Sequence, residues 1–319
     1  ISPRNIIITT HSGQNKQYGN PEPILTYTVE NLAENDTESI LSGNLTRTNG
    51  EAIGSYPITQ GSLTTNSNYI IDFKGADFYI TQRILTISAD SNQSKVYGEE
   101  DPEFSYSVNG LAPTENTSIL SGKLTRETGE NVGSYAILQG DLTANDNYLI
   151  DFSENTFKIT PAYINPAPPT PSIIFNNKTF VFNGSPKSIF INGTIPVGTS
   201  VIYINNEQIN VGAHEVKAII TGPNHYDLEL TAELTITPKE LNITADNGQN
   251  KMYGQKDPTF TYTATGFEGT DDKSIITGTL SRATGETIGS YPIELGTLGA
   301  GSNYSITFND ASFEIIKAI

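Results

Sequence analysis

The sequence contains no cysteine and no tryptophan, and it has few histidines. Its 319 residues include three histidines and one methionine. The lack of cysteine excludes disulfides, thiolate nucleophiles and thiolate metal sites, so the fold must depend on packing and strand pairing. No two histidines lie four residues apart, which excludes the zinc-binding pattern typical of a helix. The sequence therefore offers little material for redox or metal chemistry.

Long apolar runs and positive charge are also scarce. Hydrophobic residues make up 36% of the chain, and the net charge is −17. No run approaches the roughly 18 apolar residues that cross a bilayer. An acidic surface opposes binding to nucleic acid and to anionic membranes. We therefore expect no nucleic-acid partner, no membrane insertion in this segment and, because like charges repel, a monomer.

Repetition is what the sequence has in abundance. Three motifs recur at intervals of 79 and then 156 residues: Tyr18-Gly19, Tyr97-Gly98 and Tyr253-Gly254; Gly54-Ser55-Tyr56, Gly133-Ser134-Tyr135 and Gly289-Ser290-Tyr291; Asn68-Tyr69, Asn147-Tyr148 and Asn303-Tyr304. The longer interval leaves room for one more unit, and Tyr226 lies 78 residues from both Tyr148 and Tyr304. A fixed period of this length indicates a tandem array. We predict four modules, each with its own core: residues 1–82 (module 1), 83–161 (module 2), 162–238 (module 3) and 239–319 (module 4).

Apolar and polar residues alternate along most of each module, which is typical of half-buried strands. The clearest alternating sets are Leu25/Tyr27/Val29, Phe104/Tyr106/Val108, Tyr69/Ile71/Phe73, Tyr148/Ile150/Phe152, Tyr226/Leu228/Leu230 and Tyr304/Ile306/Phe308. Short segments at 37–41, 115–120 and 271–276 fit a single capped helical turn. The sequence predicts a mainly β chain of four small β-sandwich-like modules in an extended array, with β-grasp-like modules as the alternative.

The junctions between modules differ in length. Thr81-Gln82-Arg83 and Thr237-Pro238-Lys239 are very short, which favours a stiff, beaded rod. A segment with five prolines, from Pro161 to Pro171, leads into module 3, and such a run favours a polyproline II spacer. Module 3 also carries Phe182-Asn183-Gly184 in place of the Tyr-Gly pair. Because both chain ends match internal junctions, we expect the segment to have been cut from a longer array.

One dense cluster of charged residues and glycines recurs three times. It consists of Arg47, Gly50, Glu51, Gly54, Ser55 and Tyr56, and of the same residue types from Arg126 and from Arg282. Glycine suits a loop with positive φ or a close backbone approach. The arginine and glutamate could pair and hold the loop, or they could form a ligand clamp.

The pattern resembles the MBG domain family of the YGX type. The resemblance combines Tyr-Gly, Asp-Pro (Asp101-Pro102 and Asp257-Pro258), the arginine cluster, Gly-Ser-Tyr and Asn-Tyr, and it covers modules 1, 2 and 4. Module 1 has Glu22-Pro23 instead of Asp-Pro, and module 3 resembles the related plain MBG domain. The resemblance implies a bacterial surface or secreted adhesin-like protein, and it implies no catalytic residues.

Two further hypotheses concern lysines and acidic groups. Lys16, Lys95 and Lys251 each precede the Tyr-Gly pair by two residues, and each could form an isopeptide bond with an asparagine. We favour a solvated lysine at a strand edge. Acidic groups at 99–101 and 271–272 raise the possibility of calcium, but they do not form the spaced loop that calcium requires. We predict no cofactor, with calcium as the open alternative.

The sequence therefore predicts a structural stalk segment of a bacterial cell-surface adhesin, located outside the cell. The alternative is a glycan- or protein-binding module that acts through module 3. We predict no enzyme activity and name no catalytic, cofactor-binding or metal-binding residues. The expected partners are neighbouring repeats of a longer chain, together with host, surface or glycan ligands.

Overall fold

The computed structural model describes residues 1–165 and 173–318. It divides the chain into two compact units, Ile1–Thr160 and Pro161–Ile319. Most of the proline-rich segment lies outside the described residues. Within the described part, no helix has the length and apolar character needed to cross a membrane.

Module 1 is built from two sheets. Its strands are β1 (Arg4–Thr10), β2 (Asn15–Gln17), β3 (Tyr27–Glu30), β4 (Leu41–Ser42), β5 (Thr46–Arg47), β6 (Gly54–Thr59), β7 (Thr64–Thr65), β8 (Tyr69–Lys74) and β9 (Asp77–Thr81). One sheet has the order β3-β1-β8, the other has the order β2-β9-β6-β5, and β4 pairs with β7. The opening strand β1 runs antiparallel to β3 and parallel to β8.

The two sheets of module 1 pack face to face because their strands alternate. Ile6 and Ile8 of β1 are fully buried, as is Phe78 of β9, while the residues between them face outward or are half-buried. These side chains belong to one hydrophobic cluster. Two sheets that share one core form a sandwich.

Module 2 repeats this arrangement. Its strands are β10 (Arg83–Ala89), β11 (Gln93–Val96), β12 (Tyr106–Asn109), β13 (Leu120–Ser121), β14 (Thr125–Arg126), β15 (Gly133–Leu138), β16 (Thr143–Ala144), β17 (Tyr148–Ser153) and β18 (Asn155–Thr160). The sheets have the orders β12-β10-β17 and β11-β18-β15-β14. Leu85, Ile137 and Phe157 are buried in a core that lies between the two sheets.

Modules 3 and 4 form the second unit. Module 3 has β19 (Ala162–Tyr163), β20 (Lys178–Val181), β21 (Ser200–Ile204), β22 (Gly212–Thr221), β23 (His225–Tyr226) and β24 (Leu228–Thr237). Module 4 has β25 (Lys239–Ala245), β26 (Asn250–Met252), β27 (Tyr262–Thr265), β28 (Ser281–Arg282), β29 (Gly289–Glu294), β30 (Tyr304–Asn309) and β31 (Ser312–Ile316). The larger sheets have the orders β20-β24-β22-β21, β27-β25-β30 and β26-β31-β29-β28.

The predicted helical turns are single 3₁₀ turns. They span Glu38–Ile40, Thr117–Ile119 and Lys273–Ile275. Each begins at a residue whose side chain accepts a backbone N–H, namely Thr37, Asn116 or Asp272. The described residues contain no α-helix, which a β-grasp module would need, so the mainly β, sandwich-like prediction is confirmed.

The expectation of one core for each module holds in the first unit and fails in the second. The clusters of modules 1 and 2 are separate, although the half-buried Tyr18 packs against both. In the second unit one cluster continues from Leu234 and Ile236 of module 3 to Leu241 of module 4. The two units differ at the aromatic residue between modules: Phe182 of module 3 is buried and meets Tyr304 of module 4, whereas its counterpart Tyr18 in module 1 is only half-buried.

Candidate functional site

A four-residue ion cluster occupies the same place in modules 1, 2 and 4. In module 2, Lys95 and Arg126 each bind both Asp101 and Glu130 at N–O distances of 2.5–2.7 Å. The equivalent sets are Lys16, Glu22, Arg47 and Glu51 in module 1, and Lys251, Asp257, Arg282 and Glu286 in module 4. Glu22 of module 1 therefore replaces the aspartate of the other two modules in function as well as in position.

The two cations of the cluster come from the two edges of one sheet. Lys95 lies on β11 and Arg126 on β14. The Arg126 guanidinium lies 5.1 Å from the ring centre of Tyr135 and 5.5 Å from that of Phe157. These cation–π contacts cover the guanidinium with apolar surface, and its side chain is only 5% exposed. The carboxylates lie on the solvent side, since Glu130 is 65% exposed.

The arginine of each cluster uses all of its hydrogen-bond donors within the module. An arginine has five N–H groups. In Arg126, Nε and Nη2 bind Asp101, Nη2 also binds Glu130, and Nη1 binds the carbonyl oxygens of Glu127 and Gly129. Arg47 and Arg282 have the same set of partners. The arginine–glutamate pairing is confirmed, and no donor is left over for a ligand clamp.

A glycine allows this loop to close on a tyrosine. Gly129 has a φ of +149°, and a Cβ at this position would lie 2.4 Å from Cε1 of Tyr135. The Tyr135 hydroxyl donates to the carbonyl oxygen of Asn131 at 2.7 Å. The predicted need for positive φ and close approach is confirmed, and the loop is held from both the arginine and the tyrosine side.

The three lysines are not solvated, so that prediction is wrong. Lys16, Lys95 and Lys251 are only 5–7% exposed. They lie on short strands at a sheet edge, as predicted, but their side chains turn inward to reach two carboxylates each. The partners lie 6 and 35 residues away in the sequence, so a local pattern gives no sign of them.

The charge state of the cluster opposes an isopeptide bond. Burial alone would lower the pKa of Lys95, but hydrogen bonds and attraction from Asp101 and Glu130 outweigh burial and raise its pKa. Hydrogen bonds from Arg126, and secondarily from Lys95, hold the pKa of Asp101 below its ordinary value. Amide formation requires a neutral amine and a protonated carboxyl group. The geometry instead keeps both groups charged, and it brings carboxylates rather than an asparagine to each lysine.

The acidic groups considered for calcium have structural partners. Asp101 belongs to the ion cluster, and Glu99 accepts the backbone N–H of Val96 at 3.0 Å. Asp271 accepts the Tyr304 hydroxyl at 2.8 Å, and Asp272 caps a 3₁₀ turn. Among residues 1–165 and 173–318, no group of three or more metal-binding side chains comes together.

The first unit contains a joint between modules 1 and 2. The rings of Tyr18 and Tyr148 meet edge to face, with centroids 5.5 Å apart. The Tyr18 hydroxyl donates to Glu115 at 3.0 Å. The backbone N–H of Ile53 donates to Oδ1 of Asn147, the residue directly before Tyr148, at 3.0 Å. The Tyr-Gly motif of one module therefore meets the Asn-Tyr motif of the next.

The second unit contains the same joint between modules 3 and 4. Phe182 takes the place of Tyr18 and meets Tyr304 edge to face, with centroids 5.4 Å apart. The backbone N–H of Val211 donates to Oδ1 of Asn303 at 3.0 Å. The amide of Asn303 also donates to Oδ1 of Asn210 at 3.1 Å. Phe182-Asn183-Gly184 thus supplies the aromatic ring that the Tyr-Gly pair supplies in module 1.

Module 3 carries an exposed pair of tyrosines. Tyr163 on β19 and Tyr226 on β23 are paired in parallel register, and their rings stack with centroids 4.6 Å apart. They are 80% and 45% exposed. Leu228 and Leu230 of the same alternating set are half-buried, but Tyr226 is exposed, whereas its counterparts Tyr148 and Tyr304 are buried. The exposed ring of Tyr226 lies instead against the ring of Tyr163.

Comparison with known proteins identifies the repeats. The model of the MBG domain (YGX type) matches residues 6–79, 85–158 and 241–314. A search of the curated proteins gives no match. Among solved structures, the chain is similar to Drosophila N-cadherin EC1-4, with 7% identity, a TM-score of 0.22 and coverage of 82% of this chain and 83% of the cadherin. It is also similar to a SusE-like surface located polysaccharide binding protein from Bacteroides thetaiotaomicron, with 11% identity, a TM-score of 0.21 and coverage of 97% and 72%.

Strand order, repeated ion clusters and repeated joints define a tandem array of small β-sandwich modules. The chain belongs to the MBG domain family of the YGX type, since the matched repeats span more than half of its length. The family and the tandem repetition make it a module of the surface or adhesion type, and both family and fold are of non-catalytic types.

Proposed function

We propose that the chain is a structural stalk segment of a large bacterial cell-surface adhesin, which holds a distal binding region away from the cell. The observation that carries the proposal is the joint, because it recurs in both units with the same geometry. In each joint two separate segments of one module contact the adjacent Asn-Tyr pair of the next, which resists bending and rotation of one module on the other. A spacer needs such stiff joints, whereas a free linker would let the modules fold back.

The short junctions support the same function. β9 ends at Thr81 and β10 begins at Arg83, so tension on one module passes to the next through a single connecting residue. Repeat arrays behave as chains of nearest-neighbour units. Modules 1 and 2, which have separate cores, can then unfold one at a time under load, whereas modules 3 and 4 share a core and would unfold together.

Small-angle scattering tests the stalk. A single compact body of this length has a radius of gyration of roughly 20 Å, whereas four modules in line give roughly 35–40 Å. We expect the larger value for the full chain. The double variant Asn147→Ala/Asn303→Ala removes the joint acceptors, so its distance distribution should broaden toward shorter lengths.

Asn68→Ala is the matched control for that experiment. Asn68 holds the same place in module 1, but it has no preceding module within this chain. It should therefore leave the scattering curve unchanged. A radius near the lower value for the unmodified chain would refute the stalk.

The stacked tyrosines favour a second candidate function, glycan binding by module 3. Exposed aromatic rings are apolar faces with a polar hydroxyl at the tip, which suits contact with a sugar. Tyr163 has one face in contact with Tyr226 and is otherwise exposed. This arrangement is specific to the divergent module, because the equivalent tyrosines of modules 1, 2 and 4 are buried.

A glycan array with the full chain tests this candidate. If the pair binds sugar, Tyr163→Ala should weaken any binding by about fivefold, since one stacking contact is worth on the order of 1 kcal/mol. Tyr79→Ala is the control, because Tyr79 is 43% exposed on β9 in module 1. A silent array, or equal loss in both variants, would remove glycan binding at this pair.

A further inference from the structure

Strand β21 of module 3 forms an edge of its sheet. It pairs with β22 from Ser200 opposite Thr221 to Ile204 opposite Lys217. The sheet order ends at β21, and within residues 1–165 and 173–318 no strand pairs with its other side. An edge strand presents unpaired backbone N–H and C=O groups, which form a template for another strand.

The same edge is much shorter in the other modules. The sheets of modules 1, 2 and 4 end in β5, β14 and β28, which have two residues each. The second residue of each is the arginine of the ion cluster. β21 instead has five residues, Ser-Val-Ile-Tyr-Ile, with no charge and no proline. Short length and charge are the usual protections of an edge strand, and β21 has neither.

The outward face of β21 is apolar as well. Ile202 and Ile204 are 54% and 47% exposed, while Val201 and Tyr203 between and beside them are half-buried. Ile202 lies opposite Ile219 of β22, which extends the apolar stripe.

The other long edge strands carry polar groups on this face. Each of these strands has three outward-facing residues, and the second and third of them are polar or charged. They are Asp72 and Lys74 on β8, Asp151 and Ser153 on β17, and Thr307 and Asn309 on β30. A charge or a polar group facing outward discourages pairing with another chain. Among these strands β21 alone combines length, an apolar outward face and the lack of charge.

We propose that β21 pairs with β21 of a second copy of the chain, antiparallel and centred on Ile202. This pairing is self-complementary, because a two-fold axis through Ile202 sets Ile204 of each copy opposite Ser200 of the other. The pairing continues the sheet across both copies and sets the two Ile202 side chains next to each other on its outward face.

The distribution of charge favours contact between copies at β21 over contact elsewhere on the surface. The chain has a net charge of −17, which opposes contact between copies. Module 3 has three lysines against five carboxylates, and β21 itself has none of either. The proposed dimer differs from the monomer expected from the net charge. Contact between two copies depends on the charge of the surface they share, and β21 is uncharged.

The proposed dimer is weak because its interface is small. One pair of five-residue strands buries much less than the roughly 1,200 Å² of a stable interface. This inference rests on the fold of module 3 and not on the stalk, so a compact scattering radius would leave it standing.

Sedimentation equilibrium of the full chain at concentrations up to about 1 mM tests the pairing. We expect a monomer–dimer equilibrium that Ile202→Lys abolishes, because the substitution puts a charge at the centre of the shared strand. Leu149→Lys is the matched control, since Leu149 is also 54% exposed on an edge strand; it should leave the dimer intact. A monomer at every concentration, or equal loss in both variants, would overturn the proposal.

A second variant tests the same pairing without placing a lysine in the strand. The chain has no cysteine, so Ile202→Cys introduces a single thiol. With a disulfide-exchange oxidant, Ile202→Cys should form a covalent dimer faster than Leu149→Cys, because only position 202 faces its own copy. The two thiols join as one disulfide, and the oxidant takes up the two electrons and two protons. Equal rates for the two variants would contradict the proposed register.

Discussion

Asp101→Asn is expected to lower the free energy of unfolding of module 2 by about 2–3 kcal/mol. The substitution keeps the shape of the side chain and removes the charge that both Lys95 and Arg126 bind. Loss of one partner from a fully buried ion pair costs about 3–5 kcal/mol, because the remaining charge stays buried. We place the effect lower because solvent reaches Asp101, whose side chain is 35% exposed.

The burial of the cations makes Asp101 more important for stability than Lys95. Lys95 and Arg126 are 4–5% exposed, so neither can recover hydration when Asp101 is neutralised. Removal of Lys95 would leave carboxylates that water can reach. Lys95→Met should therefore destabilise module 2 less than Asp101→Asn.

Hydrogen exchange on the full chain measures this effect in one module at a time. Peptides from β11, β14 and β18 should exchange faster in Asp101→Asn, while modules 1 and 4 serve as internal references. Glu103→Gln is the control, because Glu103 is an exposed carboxylate two residues away. Similar exchange in the two variants would mean that the cluster acts as an ordinary surface ion pair.

Acid is expected to destabilise modules 1, 2 and 4 more than module 3. Hydrogen bonds from Arg47 to Glu22, and from Lys95 to Glu130, are the main causes that lower the pKa of these carboxyl groups, and Asp257 is lowered mainly by Arg282. A lowered pKa in the folded state adds stability that is present above the ordinary values of 3.8 and 4.5. That stability is lost as the pH falls through the lowered values.

The lysines set the upper pH limit of the stability that the ion clusters add. The pKa of Lys16 is raised because its two glutamates outweigh the effect of burial. Its contribution is complete below the ordinary value of 10.5 and is lost as the pH rises through the raised value. The ion clusters should therefore be fully effective between about pH 4.5 and pH 10.5.

Urea unfolding at pH 7 and pH 3, followed by hydrogen exchange of each module, measures the acid effect. Urea is uncharged and does not screen the ion pairs. The internal control is the part of module 3 around Ile173 and Ile220, whose core cluster is separate from the one shared with module 4. The described ion pair of module 3, Lys217–Glu229, is 40–50% exposed. An equal loss of stability in all four modules at pH 3 would show that the clusters do not set the acid response.

The sequence predicts the strands well because their signal is local. Tyr69, Ile71 and Phe73 alternate over a few residues, and β8 lies there. The 3₁₀ turns follow from Thr37, Asn116 and Asp272, which cap the segment directly after them. The same local logic does not show that the exposed ring of Tyr226 stacks on Tyr163, 63 residues earlier.

The ion cluster and the joints depend on contacts that a single sequence hides. Lys95 meets Glu130 across 35 residues, and Asn147 meets Ile53 across 94. The available signal was recurrence: the lysine, the Asp-Pro pair and the arginine keep one spacing in modules 2 and 4. Recurrence marked these residues as important, but only the fold shows that they bind one another.

The parallel pairing of the opening strand has a consequence for how a module forms. Ile6 of β1 lies beside Ile71 of β8, and Leu85 of β10 lies beside Ile150 of β17. The two partners are 65 residues apart, so nearly the whole module must leave the ribosome before its first strand finds its parallel neighbour. Such distant pairing is slow to nucleate. During synthesis, the newest module therefore cannot complete the sheet that contains its first strand until the strand near its C-terminal end has been made.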